Sequence, residues 1–129
     1  MLLNVEYSVN MSTFGEVLKE KRRAAGLSQR QLAERAGVDF SYISKLENGR
    51  LPAPAADTAA RLAKCIGCPA EELLAAARKI PAGTSDSLTN APEAIRFLQE
   101  ASRMQLSPAE WEQMLGELHS LRSDEEDRS

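Results

Sequence analysis

Between Leu27 and Gly49 the chain reads LSQRQLAERAGVDFSYISKLENG, a string that leaves little choice of local structure. Ser28 precedes a helical run and Gln31 follows three residues later. This is a capping box, in which the hydroxyl takes an orphan amide and the glutamine reaches back. Leu32, Ala33 and Ala36 mark one inward face at helical spacing, with Ala33 small where a second helix must cross closely. Gly37 fits a left-handed stop, Val38 an apolar plug and Asp39 a fresh N-cap. Phe40, Ser41 and Tyr42 then form the first turn of a second helix. Ile43 and Leu46 face inward, Ser44 and Lys45 face outward, and Asn48-Gly49 ends the run.

The outward face of this second helix carries Ser, Tyr, Ser and Lys, with no acidic residue before Glu47. Such a face suits entry into a DNA major groove, whereas a structural helix pair would need only the inward seam. The runs LSQRQLAERAGV, YISKLENGR and GCPAEELL resemble the lambda repressor/Cro-like (XRE) helix-turn-helix family, over roughly Phe14 to Leu74. The resemblance implies an all-α protein with a compact five-helix DNA-binding domain. It implies that Gln29 contacts a phosphate and buttresses the reading helix, and that Phe40, Ser41, Tyr42, Ser44 and Lys45 face the groove. Asn48 and Arg50 are implied to contact the backbone beyond it. Ser28, Arg30 and Asp39, at the two helix starts, complete the DNA-facing set. Two positions depart from the family pattern. Phe40 stands where many members carry a polar base reader; it can meet a thymine methyl but cannot hydrogen-bond a base. Ala55 stands where a serine cap is usual, at a cost of about 1 kcal/mol.

Thr13 with Glu16 predicts a capping box for a helix from Phe14 to about Ala25, with Phe14, Val17 and Leu18 inward. Lys19, Lys21, Arg22 and Arg23 form a basic cluster on its other side, either a solvated face or a phosphate contact. Further helices are predicted over Ala55–Ile66, with Leu62 and Ile66 inward, and Ala70–Lys79, with Leu73 and Leu74 inward. The expected map is an N-terminal extension over 1–11, a DNA-binding domain over 12–80, a linker over 81–90, a helical segment over 91–122 and a disordered charged tail over 123–129. Residues 1–10 read as an extended arm, an upstream start or a disordered tail, with the arm the less favoured because termini are usually loose.

In the helical segment, Asn90 is expected to cap a helix with Pro92 and Glu93 in its first turn; Ile95, Phe97, Leu98 and Met104 give its apolar side. Ser107, Pro108, Ala109 and Glu110 open a second helix, along which Trp111, Met114, Leu115, Leu118 and Leu121 form one apolar stripe. Two helices this short cannot bury such a stripe alone. It serves either as the seam of a homodimer on a palindromic operator or as a surface packed on the helix over 70–79. The run ASRMQLSPAEWEQMLGELHSLR is also similar to the C-terminal segment of DdrO-like repressors, partners of ImmA/IrrE-type metallopeptidases. That resemblance implies a cut near Met104, Gln105, Leu106 and Ser107, after which weakened dimerisation lowers DNA affinity by mass action. A rival reading is an antitoxin whose acidic rear segment holds a toxin and whose DNA binding is autoregulatory.

Charge divides along the same line. Residues 11–80 hold 12 basic and 8 acidic side chains, residues 81–129 hold 4 and 10, and the whole chain is at −3. Phosphate contacts are therefore expected from the front. No apolar run approaches a membrane span, and residues 1–9 are too short and polar for a signal peptide, so a cytoplasmic, membrane-free protein is expected. No phosphate loop, nucleophile elbow or protected carboxylate pair is present, so neither an enzyme nor a cofactor is expected. Cys65 and Cys68 form C-x-x-C without a second ligand pair and are read as buried structural thiols rather than a metal or redox site. His119 is read as a surface or interface residue.

Overall fold

In the computed structural model, which describes residues 13–128, every regular element is an α-helix. The chain divides into two units at residues 85/86. The first holds α1 (Phe14–Ala24), α2 (Gln29–Ala36), α3 (Phe40–Glu47), α4 (Ala56–Ile66) and α5 (Ala70–Ala77). α1 packs against α3 and α5, α2 against α3 and α4, and α4 against α5. The centre of this unit is made by Leu18, Leu32, Ile43, Leu46, Leu62 and Leu73, all fully buried. Ala33, Ala59 and Ala63, also buried, supply the small side chains that let the helices approach.

Local chemistry sets the helix ends. The Thr13 hydroxyl accepts from the Glu16 amide at 3.2 Å, one arm of the expected box. At α2 both arms form: the Gln31 amide donates to Ser28 Oγ at 3.1 Å and the Ser28 amide to Gln31 Oε1 at 2.8 Å. α4 starts at Ala55 without a side-chain cap. α5 ends at Ala77, two residues before the expected Lys79, because Arg78 turns left-handed (φ 57°).

The expected linker over 81–90 is not wholly irregular. Residues Thr84–Thr89 form a short helix, α6. Asp86 in its first turn suits the positive end of the helix, and the Thr89 hydroxyl donates to the Asp86 carbonyl at 3.5 Å.

The second unit contains α7 (Pro92–Met104) and α8 (Pro108–Arg128). The N-cap of α7 is Ala91 rather than the expected Asn90, and it has no side-chain cap bond. Pro92 occupies the first helical position, which moves the cap one residue downstream of the asparagine. Gln105, in the left-handed region at φ 51°, ends α7. The Ser107–Glu110 box opens α8 as expected, with bonds of 3.2 and 3.0 Å. The last helix then runs on to Arg128, so residues 123–128, expected to be disordered, are helical in their backbone. No glycine or proline follows Gly116 to stop it. The possible arm over residues 1–10 lies outside the described residues. Among the described residues no helix is long and apolar enough to cross a membrane.

Candidate nucleic-acid interface

The position of α3, the second helix of the motif, is set by its two ends. At the first, Gly37 in the left-handed region (φ 70°) closes α2 and the Val38 amide donates back to the Ala33 carbonyl at 3.0 Å. Val38 packs half-buried on the core, the plug foreseen for it. Asp39 occupies the N-cap position, yet its carboxylate makes no capping bond; only its carbonyl starts the helix, accepting from the Tyr42 amide at 3.0 Å. The expected side-chain cap is therefore missing, and the Asp39 side chain stays exposed at the surface.

The second end is clamped. Arg22 of α1 donates from Nε to Glu47 Oε2 at 2.6 Å and from Nη2 to Oε1 at 2.9 Å. Its Nη1 donates to the Leu27 carbonyl at 2.7 Å, and Gln29 Nε2 adds a bond to Glu47 Oε1 at 3.0 Å. The two charged side chains are 8% and 1% exposed, so this is a buried, bidentate pair with its remaining valences largely filled. The bond to Glu47 drives the Arg22 pKa upward, against the opposing effect of burial. Such a pair contributes little relative to an apolar replacement, but removing one partner strands the other charge. Its role is to fix where α3 ends relative to α1. Gly15 does the same from the first turn of α1: a Cβ there would lie 2.2 Å from the Leu46 carbonyl oxygen and 2.9 Å from that of Glu47. The backbones of α1 and α3 therefore meet where only glycine fits.

Arg22 corrects one expectation. It was grouped with Lys19, Lys21 and Arg23 as an outward basic cluster, but it is buried, because Phe14, Leu18 and Arg22 fall four apart on the inward stripe. Lys21 is half-buried and pairs with Glu72 of α5 at 3.3 Å.

Of the expected DNA-facing residues, Ser28, Arg30, Asp39, Phe40, Ser41, Lys45, Asn48 and Arg50 are exposed, while Gln29, Tyr42 and Ser44 are half-buried. The amide of Gln29 supports α3 through Glu47, the buttress that the family resemblance implied. Asn48 Nδ2 donates to Ser44 Oγ at 3.4 Å. Tyr42 leans on the core and, with Gly37, Val38, Asp39, Thr58 and Arg61, lines a shallow open cleft beside the turn. Thr58 and Arg61, absent from the expected set, enter it from α4. The guanidinium carbon of Arg30 lies 4.6 Å from the centre of the Phe40 ring.

In the second unit, Leu88, Phe97, Leu98, Trp111, Leu115 and Leu118 line an open apolar groove of about 710 Å³, with Met114 and Leu121 beside them. Trp111, Leu118 and Leu121 are 45%, 58% and 70% exposed, so the stripe is uncovered within its own unit. His119 is exposed, and Met104 to Ser107 form the exposed turn between α7 and α8, with Leu106 half-buried. Cys65 and Cys68 are free and only half-buried, which corrects their reading as buried thiols: they flank Gly67 at the edge of the core rather than inside it. Partial burial pushes the Cys68 thiol pKa up, Glu72 adds to the shift and Lys21 opposes it. Among the described residues no three His, Cys, Asp or Glu side chains gather where they could hold a metal ion.

Residues 18–73 match the family described as Helix-turn-helix. The uncharacterized HTH-type transcriptional regulator RghRB of Bacillus subtilis (strain 168) is 44% identical over 72 residues, covering 56% of this chain and 52% of that protein. The HTH-type transcriptional repressor RghR of the same organism is 38% identical over 64 residues, covering 50% of this chain and 47% of that protein. Among solved structures, the restriction-modification controller protein C.AhdI of Aeromonas hydrophila is 34% identical, with a TM-score of 0.45 over 50% of this chain and 97% of that one. The chain spans about half the length of the curated relatives it matches. Residues 18–73 are a helix-turn-helix domain of the lambda repressor/Cro-like (XRE) type.

Proposed function

We propose that the chain is a sequence-specific DNA-binding transcriptional regulator that acts as a dimeric repressor. The observation that carries this is the solvent face of α3. Phe40, Ser41 and Lys45 stand exposed on a helix whose far end is held by Arg22, Gln29 and Glu47. A rigidly seated helix with a short, uncluttered face can enter a major groove, and Ser41, Tyr42, Ser44 and Lys45 then meet base edges or nearby phosphates. Arg50, Asn48 and Gln29 set register on the backbone. The names of the matched relatives, a regulator and a repressor, support the same reading.

Selection of a duplex from a random double-stranded pool, followed by titration at several salt concentrations, tests it. A duplex is expected to emerge whose affinity falls steeply with salt. Tyr42→Ala is expected to relax specificity, whereas Arg50→Ala weakens all sequences alike and lowers the salt slope by about one. A pool that yields no enriched duplex removes the reading.

Self-association through the groove of α7 and α8 follows from its uncovered apolar lining and from the two-fold symmetry of helix-turn-helix binding. Light scattering on the full chain should give twice the monomer mass. A monomer that instead forms a mixed complex with a toxin would favour the antitoxin reading. The exposed Met104, Gln105 and Ser107 put the turn within reach of an ImmA/IrrE-type peptidase, whose cut there would part α7 from α8. Mass spectrometry after incubation with such an enzyme checks it.

A further inference from the structure

Phe40 opens α3 and is 39% exposed, whereas Tyr42 in the same turn is half-buried. The Phe40 ring is not idle on the surface, because the guanidinium of Arg30, from the first turn of α2, sits 4.6 Å from its centre. The contact joins the first turns of the two motif helices. Arg30 is itself exposed and has no carboxylate partner among the described ion pairs. A ring and a guanidinium held together form a two-part surface, apolar in one half and a forked donor in the other.

We propose that Phe40 and Arg30 act as one reading unit for two adjacent base pairs, with Phe40 contacting the C5-methyl group of a thymine and Arg30 the neighbouring guanine. The inference rests on the DNA-binding function proposed above. Its chemistry is restrictive. Phe40 has no hydrogen-bonding group, and the apolar feature offered by base edges in the major groove is the pyrimidine C5-methyl. An arginine fork matches O6 and N7 of guanine, the commonest specific contact. Stacked base pairs are spaced by about 3.4 Å along each strand, so groups 4.6 Å apart fall on neighbouring pairs. Because Phe40 senses the methyl group and not the pairing edge, 5-methylcytosine should serve in place of thymine. The unit therefore makes the protein sensitive to cytosine methylation at that position.

The test uses the full chain and the duplex selected from the random pool. Each thymine is replaced in turn by uracil, which deletes only the methyl group. One position is expected to lose about fourfold in affinity, the worth of one buried methyl. At that position 5-methylcytosine should bind more tightly than cytosine. Phe40→Ala should erase both differences, and Phe40→Leu should keep part of them. Arg30→Ala should abolish the preference for guanine at the adjacent pair, with Arg30→Lys restoring charge but not the preference. Both positions are exposed, and thermal melts of each variant confirm an intact fold. Loss of affinity at no thymine position, or a loss that persists in Phe40→Ala, overturns the inference while leaving DNA binding in place. Failure to enrich any duplex overturns the DNA-binding reading and this inference together.

Discussion

The two units of this chain solve the problem of an apolar helix face in opposite ways. In the first, five helices of 8 to 11 residues close on a shared centre, and six large side chains are fully buried. In the second, two longer helices of 13 and 21 residues leave Trp111, Leu115 and Leu118 about half exposed. Helix length does not decide burial; the number of faces brought together does. A five-helix unit covers every face with a neighbour. A hairpin has only one pair of faces to offer, and a stripe running the length of α8 needs a third surface. The first unit is therefore complete as it stands, and the second is built to be completed.

The sharpest way to break this contrast is to disturb the closed unit from inside. Arg22→Met strands the Glu47 carboxylate and should cost about 3–5 kcal/mol in urea unfolding, the usual penalty for a buried charge left alone. Arg22→Met combined with Glu47→Leu should recover most of that loss, since neither charge remains. A double variant as unstable as the single one would mean that the network contributes more than charge neutralisation. Gly15→Ala should come next, at about 1–3 kcal/mol, because its Cβ meets backbone that can yield only by moving α3. DNA affinity should fall further than stability alone accounts for, measured on folded protein at low temperature.

A smaller effect is expected from supplying the missing cap. Ala55→Ser should stabilise the first unit by about 1 kcal/mol, read as a raised melting temperature, because Ala55 at the N-cap of α4 offers no side-chain acceptor and Asp57 Oδ1 reaches the Thr58 amide alone, at 2.9 Å. The open unit should respond differently again. Leu118→Glu is expected to leave the melting of the first unit within about 0.5 kcal/mol of the parent, as for an exposed site. It should nonetheless convert the proposed dimer to a monomer in light scattering. A variant that stays dimeric would place the seam elsewhere.

Much of the closed unit was legible because its signals are local. The Ser28–Gln31 box, the left-handed Gly37 and the inward Ile43 and Leu46 follow from spacing and side-chain chemistry over a few residues. The clamp was not read, though its trace is present. Arg22 continues the four-residue stripe of Phe14 and Leu18, and Glu47 stands four residues after Ile43, so each charge lies on a buried face and calls for the other. Seeing that requires pairing positions 25 residues apart, which helical periodicity cannot do. Gly15 left a fainter mark, a glycine in a helical turn with no bend to explain it. The rear unit shows the reverse error. The stripe from Trp111 to Leu121 is plain in the spacing, yet the sequence points to Asn90 for a cap position that Ala91 holds, and the composition of 84–89 and 123–128 suggests irregular chain where the backbone is helical. Polar composition marks exposure, and exposed helices share it.

Glu47 has a consequence for transplantation. It ends α3, the helix proposed to read DNA, but its charge is balanced by a side chain from α1 and bonded by another from α2. The segment Phe40–Glu47 is thus not a portable cassette. Moved into a sibling scaffold without an arginine at the place of Arg22, it would import a buried anion, and the recipient would lose its fold before its new specificity could be read. On the proposed reading of DNA by α3, swapping specificity means exchanging Phe40 to Lys45 while leaving Leu46 and Glu47 at home.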